Sequence, residues 1–243
     1  MDLDSTLQMM NVDKVVVYAK EQARLLANVI KDDHFLIILG GDCSILIGNA
    51  IALKQTGTYG LFFLDGHTDY IPPELSQTAA IAGMDLAIVT GFGHEKLTNI
   101  YNFAPYFDKS NVFCVGNREY GPDYVQPILE SGIPYYDLDR LRANGLKNTA
   151  DLFIDLVEKN NLDGFFVHLD LDVLNDTIMP AVDSRQQDGL SYSELSALLV
   201  PLLQHKKAVG IEITILDPNL DKDGKYTADF VNNFMGILNT SRR

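Results

Sequence analysis

Short apolar runs that recur between stretches of helical periodicity are the strongest constraint on how this chain folds. They fall at 35–39, 59–65, 111–116, 133–138, 165–171 and 208–216, each bounded by glycine, proline or polar residues, as buried strands are. Between them, apolar residues at helical spacing predict helices over 13–31, opened by Asn11 or Asp13, and from an Asp42 or Ser44 cap to about 54. Further helices are expected over 81–90, closed by Gly91 and Gly93, and over 124–130, 148–159, 192–203 and 226–238, with Ser191 or Ser193 and Glu194 opening the one at 192. Six strands alternating with helices call for a mostly parallel α/β sheet with right-handed crossovers and helices on both faces, a three-layer αβα arrangement. No repeat, low-complexity tract or linker divides the chain, so residues 1–243 are expected to form a single domain, which 47% hydrophobic residues can supply with a sizeable core.

Charge narrows the partners. The formal net charge is −14 and Lys and Arg total only 19, without a dense patch, which argues against nucleic acid or an anionic membrane surface and for a small-molecule substrate. The first ten residues, MDLDSTLQMM, lack the basic region of a signal peptide, and no run of about 18 apolar residues occurs. Two cysteines, Cys43 and Cys114, lie far apart in apolar contexts, which fits a reducing, cytoplasmic setting better than a disulfide framework.

Two stretches concentrate potential metal ligands where strands end. FFLDGHTDY, 62–70, places Asp65, His67 and Asp69 at alternating positions, and HLDLDVL, 168–174, places Asp170 and Asp172 two residues apart. Side chains at i and i+2 of an extended segment point the same way, so each stretch presents its acids as a cluster, and in parallel sheets ligands bind at the carboxyl ends of strands. Acids gathered this way repel unless divalent cations lie between them, and carboxylate with imidazole suits Mn, Fe, Co, Ni or Zn.

Taken with Gly40-Gly41-Asp42-Cys43-Ser44 and Ile215-Leu216-Asp217-Pro218, these stretches resemble, in order, the Gly-Gly-Asp-His-Ser, Asp-x-His-x-Asp, Asp-x-Asp and Glu-x-Asn-Pro motifs of the ureohydrolase family, which includes arginase, agmatinase and formimidoylglutamase. The resemblance implies a binuclear centre, usually of manganese, whose bridging hydroxide attacks a planar amidine or guanidine carbon; two cations about 3.5 to 4 Å apart acidify the water between them and stabilise the tetrahedral intermediate. Carried over by position, it implies that Asp65 and Asp170 bridge both ions, that His67 and Asp172 bind one, and that Asp69 binds the other and orients the hydroxide. Cys43 stands in place of a histidine ligand, Arg118 and Glu119 match an Arg-acid pair near the pocket, Ser184 falls in the substrate loop, and Glu212, otherwise open as a supporting or structural residue like Asp42, matches a family Asp, which implies placement inward as a substrate residue. Family members form trimers or hexamers, which implies a homo-oligomer, and commonly carry two further strands before the Gly-Gly-Asp strand where only a helix is expected here.

The departures bear on substrate and metal. A thiolate at Cys43 would favour Zn or Fe(II) over Mn, with Ni also open, whereas a buried Cys43 acting as a small hydrophobe would leave the ligand set short. The substrate-gripping Glu is Ile215; without it a buried guanidinium loses a charge-assisted pair of about 1.5 to 3 kcal/mol, which argues against arginine or agmatine. Gly121 replaces a further substrate-recognising acid. The His-Gly pair that supplies a proton shuttle in arginase reads Ala82-Gly83, which leaves His94 as the candidate general acid, a surface histidine being the alternative. His168 lies on the same strand face as Asp170 but roughly 6 to 7 Å deeper; it is expected as a hydrogen-bonded core histidine, with replacement of the missing imidazole as the alternative. Two functions follow: a metal-dependent hydrolase of a non-peptide C–N bond in a linear amidine or amide, or a catalytically silent binding protein of the same fold.

Overall fold

In the computed structural model, which describes residues 2–31 and 34–241, the apolar runs become strands and the periodic stretches helices. A short hairpin of β1 (Leu3–Asp4) and β2 (Met9–Met10), not foreseen in the sequence, leads into α1 (Val12–Lys31). Then follow β3 (Leu36–Leu39), α2 (Ile45–Lys54), β4 (Tyr59–Leu64), α3 (Asp85–Val89), α4 (Glu95–Thr98), β5 (Val112–Val115), α5 (Pro122–Ser131) and β6 (Tyr135–Tyr136). The chain continues through α6 (Leu138–Asn144), α7 (Leu146–Lys159), β7 (Gly164–Asp170), α8 (Tyr192–Gln204), β8 (Ala208–Thr214) and α9 (Lys225–Ser241).

Among the described residues the main sheet has six strands in the order β3-β8-β7-β4-β5-β6, every pair parallel. From β4 the chain steps outward through β5 to β6, then returns to β7 on the other side of β4 and steps the opposite way to β8. The strand order therefore reverses between β4 and β7, and a crevice opens at their carboxyl ends, where open α/β sheets bind ligands. Asp65 directly follows β4, and Asp170 is the last residue of β7.

Alternation along the strands splits the core. Phe62, Leu64, Phe165, Val167, Leu169 and Ile211 face α7, α8 and α9, where Phe153 meets Phe62, Phe113 and Phe165 edge-on with ring centroids 5.3 Å apart. Leu61, Phe63, Cys114 and Phe166 face α1, α2 and α3. Cys114 is thus core, and His168, two residues on from Phe166, points to the α1/α2 side.

Three local readings change. The helix expected over 81–90 is a 3-10 turn, Ile81–Met84, running into the short α3. The strand expected over 133–138 pairs only at Tyr135 and Tyr136, because the Asp137 side chain accepts from the Arg140 N–H and caps α6. The strand expected to reach 216 stops at Thr214, since Ile215 adopts φ 72°, a left-handed conformation costly for a β-branched residue. The α8 start is as expected, a capping box of Ser191 and Glu194.

Candidate metal centre

The turn after β3 begins the site. Gly40 and Gly41 both take positive φ, and Asp42 accepts from the Ser44 N–H at 3.0 Å, so the chain swings into α2 with Cys43 turned inward and 1% exposed. Its thiol donates to Asp170 Oδ2 at 2.9 Å and lies 3.2 Å from Thr214 Oγ1. The loop after β4 is held by its own carboxylate: Asp65 Oδ1 accepts from the His67 N–H at 2.7 Å. Gly66 is required there, because a Cβ would lie 2.7 Å from Asp172 Oδ1 and 2.6 Å from the Arg118 guanidinium, while the Gly66 N–H donates to that same Asp172 oxygen. After β7 the pattern repeats, Asp170 Oδ1 accepting from the Asp172 N–H at 2.7 Å.

Two groups of ligand atoms result, each with its atoms within 4.8 Å of one another: Cys43, Asp65, His168 and Asp170, and then Asp65, His67 and Asp172. Asp65 belongs to both. In the second group His67 Nδ1 lies 2.9 Å from Asp172 Oδ2 and 3.7 Å from Asp65 Oδ1. Asp69, also at positive φ, lines the adjoining cavity but belongs to neither group.

The electrostatics are those of a site short of positive charge. Asp65, Asp69, Asp85, Asp170, Asp172 and Glu212 are all buried. Burial pushes the Asp170 carboxyl well above its usual range, as do Asp172 and Asp65, and burial with Asp65 does the same to Asp69. Burial opposes a charge on His67, yet Asp172 and Asp65 outweigh it and hold the imidazole up to about 12; His168, between Asp65 and Glu212, is likewise raised to about 10. Arg118 is spent on backbone: it donates to the carbonyls of Asp172 at 2.6 Å, Leu174 at 3.3 Å and Gln186 at 3.2 Å, fixing the turn that carries Asp172. Divalent cations fit this donor set, and Asp65 Oδ2 and His168 Nε2 are buried without a hydrogen-bond partner where such an ion would lie.

A cavity of about 680 Å³ opens beside the clusters, and Cys43, His67, Asp69, Asp170 and Asp172 line it together with Ala82, Tyr124 and Ile215. The expected substrate residues divide. Glu119 and Ser184 line the cavity. Glu212 does not: it is 0% exposed behind the sheet, its carboxylate on His168 Nδ1 and Asn49, because its strand register points it to the α1/α2 core. His94 does not reach the cavity either; its Nδ1 accepts from the Lys96 N–H and caps α4. Sequence reasoning missed Gln186, whose Nε2 lies 3.2 Å from His67 Nε2 and donates to Glu119 at 3.3 Å. It also missed Tyr124, whose phenol oxygen accepts from the Thr68 N–H at 2.8 Å.

A parallel sheet with two linked clusters of potential ligands at its switch point is the arrangement of a candidate metal centre in an α/β protein, and similarity to known proteins says which class it belongs to. The family model described as the Arginase family matches residues 2–238, and the chain belongs to that family. It is 30% identical over 233 residues to the arginase of Bacillus subtilis (strain 168), covering 94% of this chain and 78% of that one. It is 31% identical over 227 residues to the arginase of Bacillus caldovelox, covering 93% and 75%. The native structure of Bacillus caldovelox arginase superposes with a TM-score of 0.88 at 28% identity, covering 98% of this chain and 79% of that chain.

Proposed function

We propose that residues 1–243 form one catalytic domain that hydrolyses a non-peptide C–N bond of a linear amidine or amide. The observation that carries this reading is the pair of ligand clusters that share Asp65 and send Cys43, His67, Asp170 and Asp172 to the wall of the 680 Å³ cavity. Cys43, Asp65, His67, Asp170 and Asp172 would hold two divalent cations; when bound, these supply Lewis-acid activation of water and of a planar carbon. Asp69, beside the clusters and facing the cavity, orients the attacking water and passes its proton to the leaving nitrogen. Tyr124, whose oxygen already accepts from Thr68, has its O–H free to donate to the substrate, and Ser184 and Glu119 position it.

The relatives are named arginases, but this cavity favours a different reacting group. Ile215 and Ala82 line it where the family resemblance expects a carboxylate and an imidazole, so an uncharged reacting group, an amide or an amidine whose substituents lower its basicity, fits better than a guanidinium. Asp123 and Asp183, both exposed, also line the cavity and favour a substrate with a cationic far end. Two free buried cysteines suit the cytoplasm, and among the described residues no helix is long and apolar enough to cross a membrane. Self-association is supported by the edge strand β3, which leaves Ile37 45% and Leu39 72% exposed, and the family resemblance alone implies its order as a trimer or hexamer.

The test is a turnover screen of amidines, primary amides and guanidines with Mn, Fe, Co, Ni and Zn, run on wild type, Asp170→Asn and Ile215→Glu. Metal-dependent turnover of an amide or weakly basic amidine that Asp170→Asn abolishes is expected. Ile215→Glu should raise kcat/KM for guanidinium compounds roughly 10- to 100-fold, the worth of one charge-assisted pair. Saturable binding without turnover under any metal would establish instead the silent binding protein that Ile215 and Ala82 also suit.

A further inference from the structure

We propose that His168 is a ligand of the inner metal ion through Nε2, replacing in space the imidazole that Cys43 has displaced in sequence, so that the inner site is a mixed sulfur, nitrogen and oxygen site. Four observations carry it. First, His168 Nε2 and Asp65 Oδ2 face each other at 3.8 Å, both fully buried and neither hydrogen-bonded. That is too long for a hydrogen bond, yet it is close to the separation of two ligands about 2.0 to 2.2 Å from one ion. Second, the other ring nitrogen is already held: Nδ1 lies 2.5 Å from Glu212 Oε1, and Glu212 accepts from Asn49, whose Oδ1 accepts from Gln22 Nε2 at 2.6 Å. A carboxylate behind the far nitrogen is how proteins fix the tautomer and heading of a metal-binding histidine. Third, the ring stacks on Phe63 with centroids 4.3 Å apart and planes 4° off parallel, so its plane is set without an ion. Fourth, the depth of His168 along β7 is overcome by side-chain reach, since its ligand atom lies within 4.8 Å of those of Cys43, Asp65 and Asp170.

The donor set also selects the ion. Thiolate and imidazole beside carboxylates suit Zn, Fe(II) or Co(II) better than Mn, so the two sites of this centre differ in preference. The competing account is that His168 is only a buried cation bridging Asp65 and Glu212.

The inference rests on the metal-dependent reading above and is tested on metal-free full-length protein titrated with Co²⁺, reading bound equivalents and the thiolate-to-cobalt charge-transfer band. Wild type is expected to take two equivalents and develop the band. His168→Asn should retain one equivalent and lose the band, or need at least 100-fold more Co²⁺ to reach it, and Glu212→Gln should weaken the same step 10- to 100-fold. Should His168→Asn fail to fold, X-ray absorption on Zn-loaded His67→Gln protein decides the matter, because His168 is then the only imidazole left in either cluster. Sulfur together with imidazole scattering is expected, and sulfur without imidazole overturns the assignment. An unchanged titration and band in a folded His168→Asn protein also overturns it, while wild type that binds no Co²⁺, Zn²⁺ or Mn²⁺ overturns the metal-dependent reading itself.

Discussion

The two ligand clusters share Asp65 and sit a few residues apart, yet they are built differently. The outer one, Asp65, His67 and Asp172, comes from two strand-end turns, and its His67 side chain remains 19% exposed. The inner one draws Cys43 from the turn before α2, Asp65 from the loop after β4, and His168 and Asp170 from β7, and all four are buried. Both clusters send side chains to the cavity, but the outer one has only carboxylates and one imidazole and would leave an ion more positions for water and substrate. The inner cluster, with thiol and imidazole packed among carboxylates, would supply most of an ion's coordination shell from protein alone. Chemistry and exchange should therefore reside at the outer position, and retention and ion selectivity at the inner one.

The largest effect is expected where the clusters join. In Asp65→Asn each cluster loses a charged ligand, so both ions should be lost at micromolar metal and hydrolysis should fall by at least about a thousandfold. The fold itself should persist, because removing one buried carboxylate also relieves repulsion with Asp69, Asp85, Asp170 and Asp172. Elemental analysis after dialysis checks this; a variant that keeps both equivalents would show that Asp65 is not the shared ligand and that the comparison is wrongly drawn. His67→Gln comes next and should break only one side of it. Bound metal should fall from two equivalents to one, and the phase most accessible to a chelator should vanish while the slow one stays. Loss of the slow phase instead would invert the assignment of labile and retained positions.

How much of this was legible in the sequence follows the same division. Asp65, His67, Asp170 and Asp172 could be read because two-residue spacing at a strand end puts side chains on one face with no knowledge of what lies opposite. The sheet was legible for a related reason, since alternation of apolar runs with helical stretches admits few connections. What failed depended on register between distant strands. Glu212 pairs in register with His168, which fixes it behind the site rather than in the cavity, and no local pattern reports that pairing. Strand rise alone sets His168 deep along β7 relative to Asp170; the reach of its ring and the turn of Asp65 towards it are tertiary facts. His94 had the chemistry of a shuttle without the position, being taken up as the cap of α4. Ile215 was legible as a substitution but not as a conformation: its φ of 72° ends β8, a strain of order 1 to 3 kcal/mol held by its N–H donating to the Gly41 carbonyl at 3.1 Å.

The finest test of the comparison uses a residue that no sequence pattern singles out. Gln186 Nε2 lies 3.2 Å from His67 Nε2 and donates to Glu119, so it stands beside the far nitrogen of the outer imidazole as Glu212 stands beside that of His168, but as an amide donor and not as an accepting carboxylate. The two supports differ in strength. Glu212 is a buried carboxylate, whereas Gln186 is a neutral amide on a part-exposed loop. A neutral hydrogen bond near water contributes about 0.5 to 1.5 kcal/mol, so Gln186→Ala should weaken the outer ion by roughly tenfold or less and leave the inner one untouched. Competition titration with a chelating dye resolves both constants in one experiment. A shift confined to the weaker constant is expected; an equal shift in both would mean that the clusters respond as one rigid unit, coupled through Asp65.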